Sequence, residues 1–303
     1  MIKIPPYLKT GDTIGITCPA GYMPADRAAA CIGTLQQWGY EVLVGKTLGS
    51  SSTDYFSADD NTRLDELQAM LDDRTVKAVL FGRGGYGMGR IIDKLKFGKF
   101  KRHPKWLIGF SDITVLHTHL LQNYNIASMH APMAAAFNDG GGGNEYVISL
   151  RDALEGKKAY YECPPHTYNI PGKASGQLVG GNLALLAHVI GTASDFETKN
   201  RILFIEDTGE YLYNLDRMLY QLKRSGKLKK IKGLVLGGFT DMKDTERPFG
   251  KPVEMILKEM TASLDCPVCF NFPVSHSREN VALKIGVTYE LTVTDNNTIL
   301  KEK

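Results

Sequence analysis

The sequence predicts an α/β fold in two domains, the first of them doubly wound. Three observations carry this. Short apolar runs alternate with amphipathic stretches through the first half of the chain, the pattern of strands and helices around a mainly parallel sheet. Glycine-rich or small-residue loops follow several of those runs directly. A proline-rich break then precedes a second series of apolar and amphipathic segments, and 303 residues at 43% hydrophobic composition supply enough apolar material for about two cores.

Taken in order, the expected strands of the first domain are Thr13–Cys18, Glu41–Val44, Val76–Phe81, Trp106–Phe110 and Ala127–His130. Helices are expected between them, over Asn61–Leu71, where Leu64, Leu67 and Leu71 recur at helical spacing, and over Asp112–Leu121. In a doubly wound sheet the loops beyond the carboxyl ends of the strands carry function. Here those loops are Pro19–Gly21, Gly82–Gly89, Ser111-Asp112 and Ala131–Met133. The glycine-rich Asn138–Glu145 and the three prolines within Cys163–Gly176 lack periodicity, so the first domain is expected over residues 1–160, a linker over 161–175 and the second domain over 176–303. That second domain reads as QLVGGNLALLAHVIG, the strand-like RILFIED, an amphipathic run Tyr213–Leu222, the apolar IKGLVLGGF and a helix near Pro252–Met260. It closes on GVTYELTV and TIL, separated by the turn Asp295-Asn296-Asn297.

Composition narrows the partners. The formal net charge is +3 with basic and acidic residues interspersed, which gives no electrostatic case for nucleic acid. The Lys94–Lys105 stretch is the nearest approach to a basic patch and reads as a solvated surface joining two core elements. No segment reaches the ~20 apolar residues that a bilayer span needs, and the first residues carry no apolar signal region, so a cytoplasmic protein is expected. Five scattered cysteines do not form a disulfide framework; Cys266 and Cys269 make a C-x-x-C without the second pair of a zinc site, and buried thiols explain them better.

Several residues can carry chemistry. Ser111 follows the buried-strand run WLIGF and precedes a helix, a geometry that exposes a hydroxyl beside the first backbone N–H groups of the helix. From the tetrapeptide GFSD alone a helix cap is the commoner role. The GRGGYGMG loop presents glycine N–H groups but lacks the lysine of a phosphate loop, and a tight turn explains it equally. Glu206 ends RILFI, where a carboxylate can hold an imidazole in one tautomer, with Asp207 and Glu210 as rivals. His276 lies in the polar loop FPVSHSREN. Among the other histidines, His117 and His119 sit two apart, on different helix faces, which argues against a shared metal, and His130 adjoins the APM loop.

Together GRGGYG, GFSD, GGNL, the glutamate of RILFIED and the histidine of FPVSH resemble, in this order, the serine LD-carboxypeptidase family; the opening PPYLKTGDTIGITCPAG matches as well. The resemblance spans nearly the whole chain. It implies an N-terminal doubly wound domain, flavodoxin-like or Rossmann-like, that supplies the nucleophile Ser111. A C-terminal α/β domain with a partly β, barrel-like core would supply Glu206 and His276. His276 would act as general base and later acid, and Glu206 would orient its imidazole. The family's oxyanion hole carries over onto the backbone N–H groups of Asp112 and Gly85. Neither metal nor cofactor is implied. The implied substrate is a murein tetrapeptide, cut between an L-centre and its terminal D-alanine in cytoplasmic recycling, by a homodimer. Two alternatives stand beside this: a relative that hydrolyses microcin C-like peptide-nucleotides, and a non-catalytic two-domain ligand-binding protein.

Overall fold

The structure is a computed structural model that describes residues 2–303. Its strands are β1 (Thr13–Thr17), β2 (Glu41–Val44), β3 (Val76–Phe81), β4 (Trp106–Gly109), β5 (Ser128–His130), β6 (Tyr160–Cys163), β7 (Gly172–Asn182), β8 (Ile202–Thr208), β9 (Gly233–Thr240), β10 (Val268–Cys269), β11 (Leu283–Ile285), β12 (Thr288–Val293) and β13 (Thr298–Glu302). The chain divides into two compact units, Met1–Lys157 with Val281–Ile285, and Lys158–Asn280 with Gly286–Lys303.

The first unit is built on a six-stranded sheet of order β11-β5-β4-β3-β1-β2. Its five N-terminal strands run parallel in the 2-1-3-4-5 order of a flavodoxin-like fold, and only β11 is antiparallel. The central strands are near-continuous apolar runs because both faces are covered; all four residues of β4 are buried. Between the strands the helix Asp60–Asp72 starts where Asp59 accepts the Thr62 N–H at 2.9 Å, and it buries Leu67, Met70 and Leu71. The helix Thr114–Tyr124 stops where Asn125 turns left-handed at φ 51°.

The second unit holds a seven-stranded mixed sheet of order β10-β9-β8-β7-β12-β13-β6, parallel from β10 to β7 and antiparallel from there on. Its edge strands curl towards each other: Cys163 of β6 and Cys269 of β10 bring their sulfurs to 4.0 Å, and Ile170 makes an isolated bridge to Val268. Among the described residues no ladder joins β6 to β10, and the core is partly β and barrel-like. The helices Leu183–Val189, Leu212–Arg224 and Val253–Thr261 complete this unit.

The division of the chain differs from the expected one in two places. Residues 161–175, expected as a linker, hold most of β6 and the start of β7, because the prolines fall between two strands of one sheet. Val281–Ile285, expected in the C-terminal domain, returns to the first unit, where β11 pairs with β5 and closes an edge that would otherwise be open. The Lys94–Lys105 stretch also departs from a purely solvated surface: Lys105 is 3% exposed, its Nζ bonded to the carbonyls of Met70, at 2.8 Å, and of Asp73.

Candidate active site

In the first unit, β4 runs out at Gly109 and the chain turns sharply into a 3₁₀ turn, Ser111–Ile113, and then the helix Thr114–Tyr124. Ser111 itself has φ +62°. A left-handed conformation is costly for a residue with a Cβ, and strand-to-helix serines held this way present the hydroxyl outward. The turn is fastened from below, where His117 spans Gly109 O and Ser128 Oγ, each at 2.8 Å. Burial pushes the His117 pKa down to about 4, so the ring is neutral and structural.

Three loops at the carboxyl ends of β1, β3 and β4 are stitched around Ser111. Gly21 N donates to Gly84 O at 3.0 Å, and the buried Asp112 carboxylate accepts the Met88 N–H at 2.7 Å. Burial raises the Asp112 pKa to about 6 against the pull of that hydrogen bond and of the Arg63 charge. Arg63, fully buried, donates to Pro19 O and Gly87 O. Gly84 lies against the serine: a Cβ added there would stand 2.9 Å from Ser111 Cβ and 3.4 Å from Asp112 N, so a side chain at 84 would press on the nucleophile's turn. The Gly84–Gly85 peptide is fixed by its carbonyl, and in a trans peptide the Gly85 N–H points the opposite way. Neither that N–H nor the Asp112 N–H donates to a protein acceptor among the described residues.

In the second unit, Glu206 and His276 are brought together: His276 Nδ1 lies 2.6 Å from Glu206 Oε2. Glu206 is fully buried, and the His276 side chain is 16% exposed. Burial works against protonation of His276, but the Glu206 hydrogen bond and charge, with Asp207 and Asp241 behind them, outweigh it and raise its pKa. A carboxylate on Nδ1 selects the tautomer with the proton there and leaves Nε2 able to accept one. The rivals point elsewhere. Asp207 accepts from Asn182 Nδ2 at 2.8 Å and from Ala184 N at 3.1 Å, fastening the helix Leu183–Val189, and burial raises its pKa to about 7. Glu210 accepts from Asn214 Nδ2.

Residues that sequence reasoning passed over hold this pair in place. Between Ile205 and Asp207 the β8–β9 register shifts, so that Gly237 and Gly238 of β9 both stand opposite Glu206, a bulge of the kind that re-aims a side chain. A Cβ on Gly237 would lie 2.1 Å from Val274 O, and one on Gly238 2.5 Å from Ser275 Cβ. The glycine pair thus lets the histidine loop close onto the strand, where Gly238 N donates to Val274 O at 3.0 Å. Ser275 stiffens the loop, bonding Ser277 Oγ at 2.6 Å and Glu279 O at 3.0 Å.

Residues 14–131 match the LD-carboxypeptidase N-terminal domain and residues 175–291 the LD-carboxypeptidase C-terminal domain. The chain is also 33% identical, across 98% of its own length and 94% of the relative's, to a probable murein peptide carboxypeptidase of Bacillus subtilis. The chain belongs to the LD-carboxypeptidase family. Among solved structures of this family's fold, the muramoyltetrapeptide carboxypeptidase from Oxalobacter formigenes is similar at a TM-score of 0.86 and 31% identity, covering 96% of this chain and 98% of that one. The microcin C7 self immunity protein MccF, in complex with aspartyl sulfamoyl adenosine, superposes with a TM-score of 0.86, covering 99% of this chain and 98% of that one. At 21% identity it shares the fold. The LD-carboxypeptidase family is one of serine peptidases, and this member is an enzyme of two α/β domains. No helix among the described residues is long and apolar enough to cross a membrane.

Proposed function

We propose that the protein is an LD-carboxypeptidase that removes the terminal D-alanine from murein tetrapeptides through an acyl-enzyme on Ser111. The observation that carries this is the 2.6 Å bond between His276 Nδ1 and the buried Glu206, which prepares an imidazole as a base. The reading requires a hydroxyl from one unit and a base from the other to act on one carbonyl. Ser111 Oγ attacks the carbonyl carbon of the L-centre as its proton passes to His276 Nε2. The oxyanion is met by the N–H groups of Asp112 and Gly85. His276 then gives the proton to the amide nitrogen, the C–N bond breaks and D-alanine leaves. Water attacks the ester, His276 takes its proton and returns it to Ser111 Oγ, and the tripeptide acid is released; Glu206 keeps the imidazole oriented throughout. Recycling of murein peptides places this reaction in the cytoplasm, and the family resemblance adds a homodimer; fractionation and light scattering test those two.

The decisive assay is mass spectrometry of products from tetrapeptides carrying diaminopimelate or lysine at the third position. Loss of a single alanine is expected, insensitive to chelator, with Ser111→Ala reducing turnover by about 10⁶-fold. Adding His276→Ala to that variant should cost little further, since residues acting as a unit are not additive. Turnover retained in Ser111→Ala would remove the nucleophile, preference for a peptide-nucleotide conjugate would overturn the substrate, and binding without cleavage would make the protein a ligand carrier.

A further inference from the structure

At the other end of the first sheet, beneath the amino ends of β1, β3 and β4, lies a cavity of about 690 Å³. Ser111 and the Gly82–Gly89 loop follow the carboxyl ends of those strands, so this cavity is separate from them. Six cations line it, Lys3, Lys9, Arg74, Lys77, Arg102 and Lys105, together with His103, and Asp12 is the one carboxylate among its lining residues. The local excess of positive charge exceeds the net +3 of the entire chain. It is only partly compensated: Asp12 contributes one negative charge, and the side chains of Lys9, Arg74 and Arg102 donate to no protein acceptor among the described residues. The acids behind the cavity, Asp73 and Asp72, act on Lys105, and Asp72 also pairs with Lys99 at 3.3 Å, so they offset the buried lysine rather than the arginines of the rim.

Such crowding repels itself unless a counter-anion is bound. The His103 ring registers it, its pKa lowered by partial desolvation and by the charges of Arg74, Arg102, Lys3 and Lys105. The remaining lining is apolar, with Ile4, Pro6, Val76, Pro104 and the ring of Tyr7, which stacks on Trp106 at a centroid distance of 5.7 Å. An apolar floor under a cationic rim suits a ligand with an apolar or aromatic body and several negative charges. We propose that this cavity binds a di- or triphosphate chain, with Arg74, Arg102 and Lys9 as its phosphate contacts. The body of an organic ester would lie against Ile4 and Pro104. A concave cavity of this volume accommodates a small molecule rather than a polymer backbone.

The test is calorimetric titration of the full chain, at fixed ionic strength, with ADP, inorganic pyrophosphate and adenosine, repeated on the double variant Arg74→Gln/Arg102→Gln. ADP should bind the unaltered protein at least tenfold more tightly than the variant, and adenosine should bind neither. Pyrophosphate binding weaker than ADP identifies an organic ester as the ligand class; equal binding keeps the phosphate site and assigns it to the inorganic anion. The double variant should keep D-alanine release within twofold, because neither arginine lies near the loops that carry Ser111. Equal ADP binding by both proteins, adenosine binding as tightly as ADP, or no binding of either phosphate would overturn the proposal. None of those outcomes touches the hydrolase reading, which is judged by product analysis alone.

Discussion

Ser111 carries its Cβ through a left-handed turn at φ +62°, a conformation that costs an L-residue roughly 1–2 kcal/mol. Glycine has no such penalty, although it loses more freedom on folding. Two variants that both lack the hydroxyl should therefore separate: Ser111→Gly is expected to be more stable than Ser111→Ala by about 1 kcal/mol in urea unfolding, with neither turning over substrate. Equal stabilities would mean that the turn is unstrained. At His276 the sign of the pH effect follows from the raised pKa. The neutral base is lost as pH falls through that value, so the acid limb of kcat/KM should lie above the ordinary histidine value of about 6.5. Glu206→Gln removes the largest of the influences that raise it, leaving burial opposed by Asp207 and Asp241 alone, and the limb should move to lower pH as the rate drops; an unmoved limb would separate the titration from this pair. At this scale the sequence was informative about Ser111, Glu206 and His276 only through five motifs in order. Taken singly, a serine after a strand is usually a cap, and Asp207 or Glu210 was as good a carboxylate as Glu206. What distinguishes them is the partner each meets, and a partner seventy residues away leaves no local mark.

Elements set those partners. Because Gly237 and Gly238 together face Glu206, the strand carries one residue more than its neighbour, and the loop after β10 can press onto it. Gly237→Ala would put a methyl against Val274 O, backbone on both sides, and is expected to cost about 1–3 kcal/mol and to reduce turnover by displacing the His276 loop. Gly33→Ala, in the helix Ala29–Gln37 with open space around it, should instead gain roughly 0.5–1 kcal/mol. Urea unfolding of the two variants side by side checks both signs, and a destabilised Gly33→Ala would show that the comparison measures something other than contact. The strands themselves were legible: β2 and β3 fall at their expected limits because turn residues and charges bound those apolar runs. The bulge was not. IKGLVLGGF reads as an apolar run, and the adjacent glycines, which weaken a strand and often mark such a site, were the signal available.

Over the whole molecule, the α/β class and the mainly parallel character of the first sheet follow from the apolar runs and amphipathic stretches that alternate through the first half of the sequence. The exchange of β11 does not, because the three residues Leu283–Ile285 have no feature that sends them across to pair with β5. Lys284 shows how firmly that strand is seated: it is fully buried, and its Nζ donates to Lys157 O at 3.0 Å. A fragment ending at residue 157 would leave the backbone of Ser128–His130 unpaired at the sheet edge, and such edges self-associate. The fragment is expected to aggregate, whereas one carrying residues 281–285 on a flexible linker should remain monomeric by light scattering; identical behaviour would deny β11 that role. The same three-residue excursion matters during synthesis. A ribosome adding about 5–20 residues per second needs roughly 6–25 s to travel from the end of the first segment to its missing border strand. Throughout that interval the nascent chain displays an unfinished margin, which makes it a natural client for a holding chaperone and ties the maturation of the first unit to translation past residue 285.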